Sequence, residues 1–313
     1  MSFSGKVKEE LSQQWNPARH CQIAELAAIL FMNGNIGKDY RNHTGLKITT
    51  ENLAVARKCF TLIKKTFNIK ADAIARHNKI KNNASYSVIV SDSKDAMRIL
   101  EAVKLVPPEE ETEHVPLVRN VVIQRTCCKR AFIRGVFLCA GSISDPQKSY
   151  HFEIVCQTEG MALQIQNIIN SFQIEAKIVP RKKTYVVYLK EGAQIVDILN
   201  IMEAHIALME LENVRILKEM RNQVNRKVNC ETANLNKTVS AAVKQKEDIL
   251  YIRDHIGFNK ITDSLREVAM ARLEQPDATL KELGNSLSPP VGKSGVNHRL
   301  RKLSELAEKQ RDV

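Results

Sequence analysis

An internal duplication runs through residues 21–203 of the chain. The nine residues 26–34 (LAAILFMNG) recur as residues 133–141 (IRGVFLCAG), at an offset of 107 positions. Both copies are followed by a stripe of apolar side chains at helical spacing, and then by two short alternating stretches around a basic turn. Each half therefore predicts the order helix, strand, strand, helix, strand, strand, helix, in an α+β fold. The alternative is two unrelated α+β stretches that look alike by chance.

Two stretches of the sequence indicate where the parts of the chain divide. Residues 104–119 contain prolines and an acidic run, which predict an exposed connector. The polar, small-residue stretch 229–242 (NCETANLNKTVSAA) predicts a domain boundary, and the duplicated domain is expected to end near residue 225. In chain order the predicted parts are an N-terminal helical extension (1–20), a first half (about 21–103), the connector, a second half (about 120–203), a trailing helix (204–227) and a small all-α domain (229–313).

The charge of the chain favours a polyanionic partner. Its formal net charge is +12 over 313 residues, which is typical of proteins that bind nucleic acid or an anionic membrane surface. No segment approaches the ~18 uninterrupted apolar residues of a spanning helix, and the N-terminal sequence MSFSGKVKEELSQ lacks the apolar core of a signal peptide. We therefore predict a cytoplasmic protein that binds double-stranded DNA, with no membrane partner, no cofactor and no evident small-molecule substrate.

The seven cysteines and eight histidines do not predict a metal site. The cysteines form no CxxC pair, and the adjacent Cys127 and Cys128 are too constrained for an ordinary disulfide. The histidines are scattered along the chain, and His20 with Cys21 alone is not a complete ligand set. We interpret the cysteines as reduced thiols and expect no metal ion.

The C-terminal sequence contains the strongest local pattern. It predicts helices over residues 265–273 and 279–287, with Thr279 as the N-cap of the second. The Pro-Pro pair at 289–290 forces a turn, and Ser294 is the predicted N-cap of a third helix. These helices together predict a helix-turn-helix.

The third of these helices has an apolar stripe opposite a polar and basic face. Its stripe consists of Val296, Leu300, Leu303 and Ala307. Such a helix is typical of a recognition helix in the major groove, where basic side chains contact guanine or phosphate and an amide can pair with adenine. The alternative is a solvated amphipathic helix that touches no DNA. The predicted DNA-binding residues, within 279–311, are Lys293, Ser294, Asn297, His298, Arg299, Arg301 and Lys302.

The duplicated helices that end in glycine, each followed by hairpins, resemble the fold of the LAGLIDADG homing endonucleases. That resemblance implies that the two signature helices pack together at a pseudo-twofold axis. Gly135 and Cys139 are small residues one helical turn apart, so they would let the two backbones approach closely.

In that family an acid precedes each terminal glycine, and the two acids hold the divalent metals used to cut DNA. Asn33 and Ala140 stand at these positions here. An amide is a weaker metal ligand than a carboxylate and a methyl group is none, so we predict no catalytic residues and no cleavage. Glu25 lies about two turns upstream, and Asp145 lies beyond the second helix, so neither replaces the missing acids. A nuclease with a relocated site is the alternative.

The basic turns of the two halves fall at corresponding places. In the endonuclease fold such hairpins form a saddle over the duplex, so they are expected to supply secondary phosphate contacts. Simple solvation of lysine-rich turns is the alternative. The residues are Arg76, Lys79 and Lys81 in the first half and Arg181, Lys182 and Lys183 in the second.

Taken along its whole length, the chain resembles the WhiA family of bacterial regulators. Three strings carry the resemblance: the opening MSFSGKVKEEL, the stretch NCETANLNKTVSAA and the terminal SPPVGKSGVNHRLRKLSELAEK. The family joins a degenerate LAGLIDADG-like domain to a C-terminal helix-turn-helix. The resemblance implies a nucleoid-associated DNA-binding regulator of cell division, chromosome segregation or sporulation transcription, with transcription or cell-division proteins as further partners. The alternative is a nucleoid-associated or protein-interaction scaffold of cell division rather than a promoter-specific transcription factor.

Overall fold

The computed structural model describes residues 1–38, 44–78, 83–105 and 118–311. The chain divides into two compact units, Met1–Lys218 and Glu219–Val313, and each is described by itself. Among the described helices, none combines the length and the apolar character that crossing a bilayer requires. Most of the predicted connector, residues 106–117, lies outside the described ranges.

Both halves of the first unit have the predicted order of elements. After helix α1 (Phe3–Gln13), the first half consists of α2 (Arg19–Asn33), β1 (Gly34–Lys38), β2 (Thr44–Thr50), α3 (Leu53–Phe67), β3 (Asp72–Asn78), β4 (Asn83–Val90) and α4 (Ser93–Val103). The second half consists of α5 (Thr126–Ala140), β5 (Gly141–Ile143), β6 (Phe152–Cys156), α6 (Glu159–Asn170), β7 (Lys177–Arg181), β8 (Thr184–Leu189) and α7 (Gly192–Met202). The antiparallel sheets have equivalent strand orders, β1-β2-β4-β3 and β5-β6-β8-β7. The duplicated α+β fold is therefore confirmed.

Each sheet has one face in the core. In the first sheet, the buried Leu46 and Ile48 of β2 are paired with the buried Val90 and Val88 of β4. Strand β6 alternates in the same way, with every second residue buried. Because successive strand residues point to opposite faces, the intervening residues form what we call the outer face of each sheet.

Helices α2 and α5 pack directly against each other. A Cβ atom on Gly135 would lie 2.6 Å from the carbonyl oxygen of Glu25 and 2.8 Å from the Cβ of Ala28. Four residues further along α5, the Sγ of Cys139 lies 3.9 Å from the carbonyl oxygen of Ile29. The close approach predicted from these small residues is confirmed, and the two helices run in the same direction.

A buried ion network joins the two halves. Arg134 of α5 donates from Nε to Glu25 Oε1 of α2 at 3.2 Å and from Nη1 to Glu203 Oε2 at 2.7 Å. Lys58 Nζ lies 3.3 Å from the same Glu25 oxygen. Burial lowers the pKa of Lys58, although the negative charge of Glu25 acts to raise it. Burial alone would also lower the pKa of Arg134, but the two carboxylates raise it, so this guanidinium stays charged.

The second unit begins inside a single long helix, α8 (His205–His255). The trailing helix predicted over 204–227 and the boundary predicted at 229–242 differ from this arrangement, because residues 229–242 are helical throughout and continue α8. It contains neither proline nor glycine, so no residue in it interrupts the backbone hydrogen bonding of the helix.

The second unit has its own hydrophobic core. Its further helices are α9 (Asp263–Glu274), α10 (Leu280–Ser286) and α11 (Lys293–Arg311), and the predicted C-terminal helical domain is confirmed. The core joins all three of them to the end of α8. Its fully buried members include Ile249, Ile252, Val268, Ala269, Leu283, Val296, Leu300, Leu303 and Ala307.

Candidate nucleic-acid interface

The short helix α10 begins with reciprocal capping. The Thr279 hydroxyl accepts a hydrogen bond from the backbone N–H of Glu282 at 3.3 Å, and Glu282 Oε2 accepts from the backbone N–H of Thr279 at 2.7 Å. These two bonds satisfy N–H groups that have no partner within the helix. The hydrogen bond from Thr279 lowers the pKa of the Glu282 carboxyl. The N-cap predicted at Thr279 is confirmed.

The turn between α10 and α11 is held by Gly284. The backbone N–H of Val291 donates to the Gly284 carbonyl at 2.9 Å. A Cβ atom on Gly284 would lie 2.0 Å from the carbonyl oxygen of Val291, which is inside van der Waals contact. The absence of a side chain at this position therefore lets the turn fold back onto α10 and sets the start of α11.

Replacing Gly284 by alanine should destabilise the second unit by about 1–3 kcal/mol, because the added methyl group must push the turn away from α10. Urea unfolding monitored by circular dichroism measures this change in stability. Gly292→Ala is the control for added volume, since a Cβ atom there meets nothing within 4 Å, and as a poorer residue at the start of α11 it should cost only about 0.5–1 kcal/mol. Equal stability of the two variants would contradict this account of the turn.

Helix α11 presents a basic face to solvent. Its apolar stripe is buried as predicted, while the predicted DNA-binding residues lie on the other side. The helix begins at Lys293 rather than after Ser294, so Ser294 lies in the first turn and is not the N-cap. The exposed members of the face are Lys293, Ser294, Asn297, His298, Arg301 and Lys302, whereas Arg299 is half-buried.

Two of the predicted DNA-binding arginines have partners within the chain. Arg299 Nη1 lies 3.5 Å from the carbonyl oxygen of Ser264 on α9, so this side chain leans towards the neighbouring helix. Arg301 Nε donates to Glu305 Oε1 at 3.0 Å in an exposed pair. Exposed pairs of this kind contribute at most ~1 kcal/mol, so a phosphate or a guanine can replace Glu305 at little cost.

The other side chains of this face have no partner within the described chain. Among the residues 118–311, no side-chain hydrogen bond or ion pair involves Lys293, Asn297, His298 or Lys302. Their donors and acceptors therefore point into solvent, where they are available to a ligand.

In the first sheet, Arg76 is exposed and lies in strand β3 rather than in a turn. The prediction placed the turn too early, because the pairing of β3 with β4 continues to Asn78 opposite Asn83. Strand alternation puts Arg76 on the outer face. Lys79 and Lys81 lie outside the described residues.

In the second sheet, Arg181 ends strand β7 opposite Thr184, also on the outer face. Lys182 and Lys183 form the two-residue turn, with Lys182 in the left-handed region at φ 58°. All three basic side chains are exposed. Arg181 Nη1 lies 3.8 Å from Glu153 Oε2, so its charge is only partly balanced.

The two positions at which the sequence analysis predicted lost metal ligands lie at the same end of the helix pair. Asn33 is the last residue of α2, and its Nδ2 donates to the carbonyl oxygen of Thr49 at 3.3 Å. Ala140 is the last residue of α5. Glu25 is buried and bound to two cations, and Asp145 accepts from a backbone N–H in its own turn. Both acids therefore already have partners elsewhere.

Family models match the chain in three successive segments. The WhiA N-terminal LAGLIDADG-like domain matches residues 19–106, the WhiA LAGLIDADG-like domain matches 129–221, and the WhiA C-terminal HTH domain matches 224–307. The chain is 55% identical over 309 residues to the probable cell division protein WhiA of Lachnoclostridium phytofermentans, covering 98% of this chain and 99% of that relative. It is 50% identical to that of Alkaliphilus oremlandii, covering 99% and 98%.

The fold is also similar to solved structures. Full-length DUF199/WhiA from Thermatoga maritima is similar with a TM-score of 0.61 at 23% identity, covering 99% of each chain. The N-terminal LAGLIDADG domain of DUF199/WhiA is similar with a TM-score of 0.50 at 21% identity, covering 64% of this chain and 90% of that one. At these identities the similarity concerns the fold alone.

Proposed function

The chain belongs to the WhiA family, and from this membership we propose that it is a DNA-binding regulator of cell division without nuclease activity. Double-stranded DNA is its proposed partner, and the nucleoid its proposed location in the cytoplasm. We propose that it acts in chromosome segregation and in the transcription of sporulation genes. Transcription or cell-division proteins are its proposed further partners.

The basic face of α11 carries this proposal. Exposed Asn297 and Arg301 lie opposite a buried apolar stripe, in a domain that matches a helix-turn-helix family model. The net charge of +12 favours approach to a polyanion. A helix of this kind can enter the major groove with its polar side chains towards the base edges.

Mapping chromosomal occupancy in cells tests which kind of DNA-binding protein this is. A transcription regulator should give sharp peaks at promoters, because base contacts favour particular sites. A nucleoid-associated protein should give broad occupancy with little sequence preference. The absence of any enrichment over an untagged strain would contradict both forms of the proposal.

We expect no cleavage of supercoiled plasmid in the presence of Mg²⁺ or Mn²⁺. Metal-assisted hydrolysis needs carboxylate ligands, and the residues at these positions are Asn33 and Ala140. Agarose gels that resolve nicked from supercoiled plasmid provide the measurement. Metal-dependent nicking that copurified with the protein through several columns would refute the expectation. The Asn33→Asp/Ala140→Asp variant need not cut DNA, because restoring the two carboxylates does not restore the surrounding groups that orient metal ligands.

We also propose that the outer faces of the two sheets bind phosphate. Changing Arg76, Arg181, Lys182 and Lys183 to serine in the full chain should reduce the slope of log affinity against log salt. For each phosphate that a side chain no longer neutralises, the magnitude of that slope should fall by about 0.9. Including Lys79 and Lys81 extends the test to all six basic residues predicted from the sequence.

The matched control for the outer faces is Lys94→Ser/Arg98→Ser. Both residues are exposed on α4, which packs on the opposite side of the first sheet. This control should leave the slope unchanged. A slope that is the same in wild type and in the outer-face variant would assign DNA contact to the second unit alone.

A protein-interaction scaffold is the second candidate function. Helix α8 favours it, because apolar side chains along its length are exposed, among them Met220, Val224, Val228 and Leu235. The two functions differ in their dependence on the α11 face. Cells that carry Asn297→Ala/Arg301→Ala should divide abnormally if DNA binding is the function, and normally if the protein acts only as a scaffold.

A further inference from the structure

Four potential metal ligands meet at the start of the paired helices α2 and α5. They are His20 and Cys21 from α2, and Cys127 and Cys128 from α5. Their ligand atoms all lie within 4.8 Å of one another. His20 Nδ1 lies 3.3 Å from the Sγ of Cys128 and 3.3 Å from the Sγ of Cys21.

The position of this cluster follows from the duplication. His20 and Cys127 are related by the same offset of 107 positions as the two terminal glycines, and so are Cys21 and Cys128. Each half therefore contributes two adjacent ligands from the first turn of its signature helix. Because α2 and α5 pack side by side in the same direction, the two pairs are brought together across the pseudo-twofold axis.

From this geometry we propose that His20, Cys21, Cys127 and Cys128 form a zinc site that fastens the two halves of the first unit together. Three cysteines and one histidine are a known ligand set for tetrahedral structural zinc. With Zn–S bonds of about 2.3 Å and Zn–N bonds of about 2.0–2.1 Å, tetrahedral ligand atoms lie about 3.5–3.8 Å apart. The observed separations need shifts of only about 1 Å to meet that requirement.

Burial and the neighbouring thiols raise the pKa of Cys21 and Cys128, so the three thiolates form only when zinc binds and displaces their protons. Zinc with three thiolates and one imidazole has a net negative charge, and the positive ends of both helix dipoles lie at this end of the pair. Arg125 immediately precedes α5 and lines the same surface cavity as His20 and Cys128. Cys21 and Cys128 are buried, whereas His20 and Cys127 are exposed, so an ion can enter from solvent.

This site is separate from the degenerate nuclease positions. Asn33 and Ala140 end the same two helices, about 20 Å away at 1.5 Å per residue. The ligands also differ in kind, because thiolates select zinc over the Mg²⁺ or Mn²⁺ that carboxylates hold. The zinc site therefore stabilises the fold independently of whether the protein cuts or binds DNA.

Titration of the full chain with Co²⁺ tests the proposal. The protein is purified with a thiol reductant, stripped with a chelator and titrated while visible absorption is recorded. We expect the bands of tetrahedral cobalt–thiolate coordination to saturate at one ion per chain and to disappear when zinc is added. Zinc should also raise the unfolding temperature, which can be monitored through the fluorescence of Trp15, the only tryptophan.

Substitutions identify the ligands. His20→Gln, Cys21→Ser, Cys127→Ser and Cys128→Ser should each weaken cobalt binding at least about tenfold. Cys127 is exposed, so Cys127→Ser is the variant expected to fold like the wild type, and circular dichroism checks that it does. Cys230→Ser and Cys156→Ser are the exposed and buried controls, and neither should alter binding. The absence of thiolate bands, a disulfide between cluster cysteines that survives purification with a thiol reductant, or unchanged binding by Cys127→Ser would overturn the proposal.

Discussion

Arg134→Met should lower the free energy of unfolding of the first unit by about 3–5 kcal/mol, because it leaves buried charge uncompensated. Glu25 and Arg134 are each only 1% exposed, and Glu25 Oε2 already has no hydrogen-bond partner among the described residues. Without the guanidinium, the Glu25 carboxylate retains only Lys58 as a counter-ion. Urea unfolding followed by Trp15 fluorescence measures the destabilisation of this unit.

Lys6→Met is the matched control for Arg134→Met. Lys6 Nζ lies 2.8 Å from Glu210 Oε1 in a pair whose side chains are 52% and 41% exposed. Water screens such a pair, so its removal should cost less than ~1 kcal/mol. If the two variants were destabilised equally, the buried network would not be what joins α2 to α5.

The Asn297→Ala/Arg301→Ala double variant should bind a preferred duplex with an affinity lower by about 2–6 kcal/mol. Each side chain that contacts a base edge is worth roughly 1–3 kcal/mol of discrimination, and the two are expected to act on different bases. Lys302→Ala should instead weaken binding to all sequences alike, because a phosphate contact carries no sequence information. Fluorescence anisotropy at fixed salt, with specific and scrambled duplexes, separates these effects.

Glu308→Ala serves as the control for the double variant. Glu308 is paired with Lys244 of α8 at 2.8 Å and lies two turns, about 10 Å, beyond Arg301 along α11. It should leave the preference for the specific duplex unchanged. A double variant that bound like the wild type would show that another helix or another face contacts DNA.

The duplication made the fold of the first unit predictable. The two copies of the signature helix, together with the periodic stretches after them, predicted the order of helices and strands in each half, because burial on one face leaves a periodic signal in the sequence. The capping role of Thr279 was equally predictable, because its reciprocal hydrogen bonds with Glu282 join two residues only three positions apart in the sequence. The buried stripe of α11 followed from helical periodicity alone.

Other features depended on contacts between distant residues. The ion network of Glu25, Arg134 and Lys58 joins three helices, and no local pattern indicates it. The continuation of α8 was missed because a polar, small-residue stretch was interpreted as a linker, although it contains no residue that breaks a helix.

Ligand spacings within one segment do not indicate the cysteine and histidine cluster, because its two pairs lie 107 residues apart. The signal was present in the sequence, since the pairs His20-Cys21 and Cys127-Cys128 fall at equivalent positions of the repeat. Its interpretation needed the helix packing that places the two first turns together.

Photocrosslinking of the full chain to duplex DNA tests the central claim, that the exposed face of α11 contacts DNA, most directly. A photoreactive amino acid at position 298 replaces an exposed side chain in the middle of this face, and the same amino acid at position 94 replaces an exposed side chain of α4 in the first unit. We predict efficient crosslinks from position 298 that fall as salt rises, and few from position 94. Equal crosslinking from the two positions, or none from position 298 to a duplex that the protein binds, would contradict the claim.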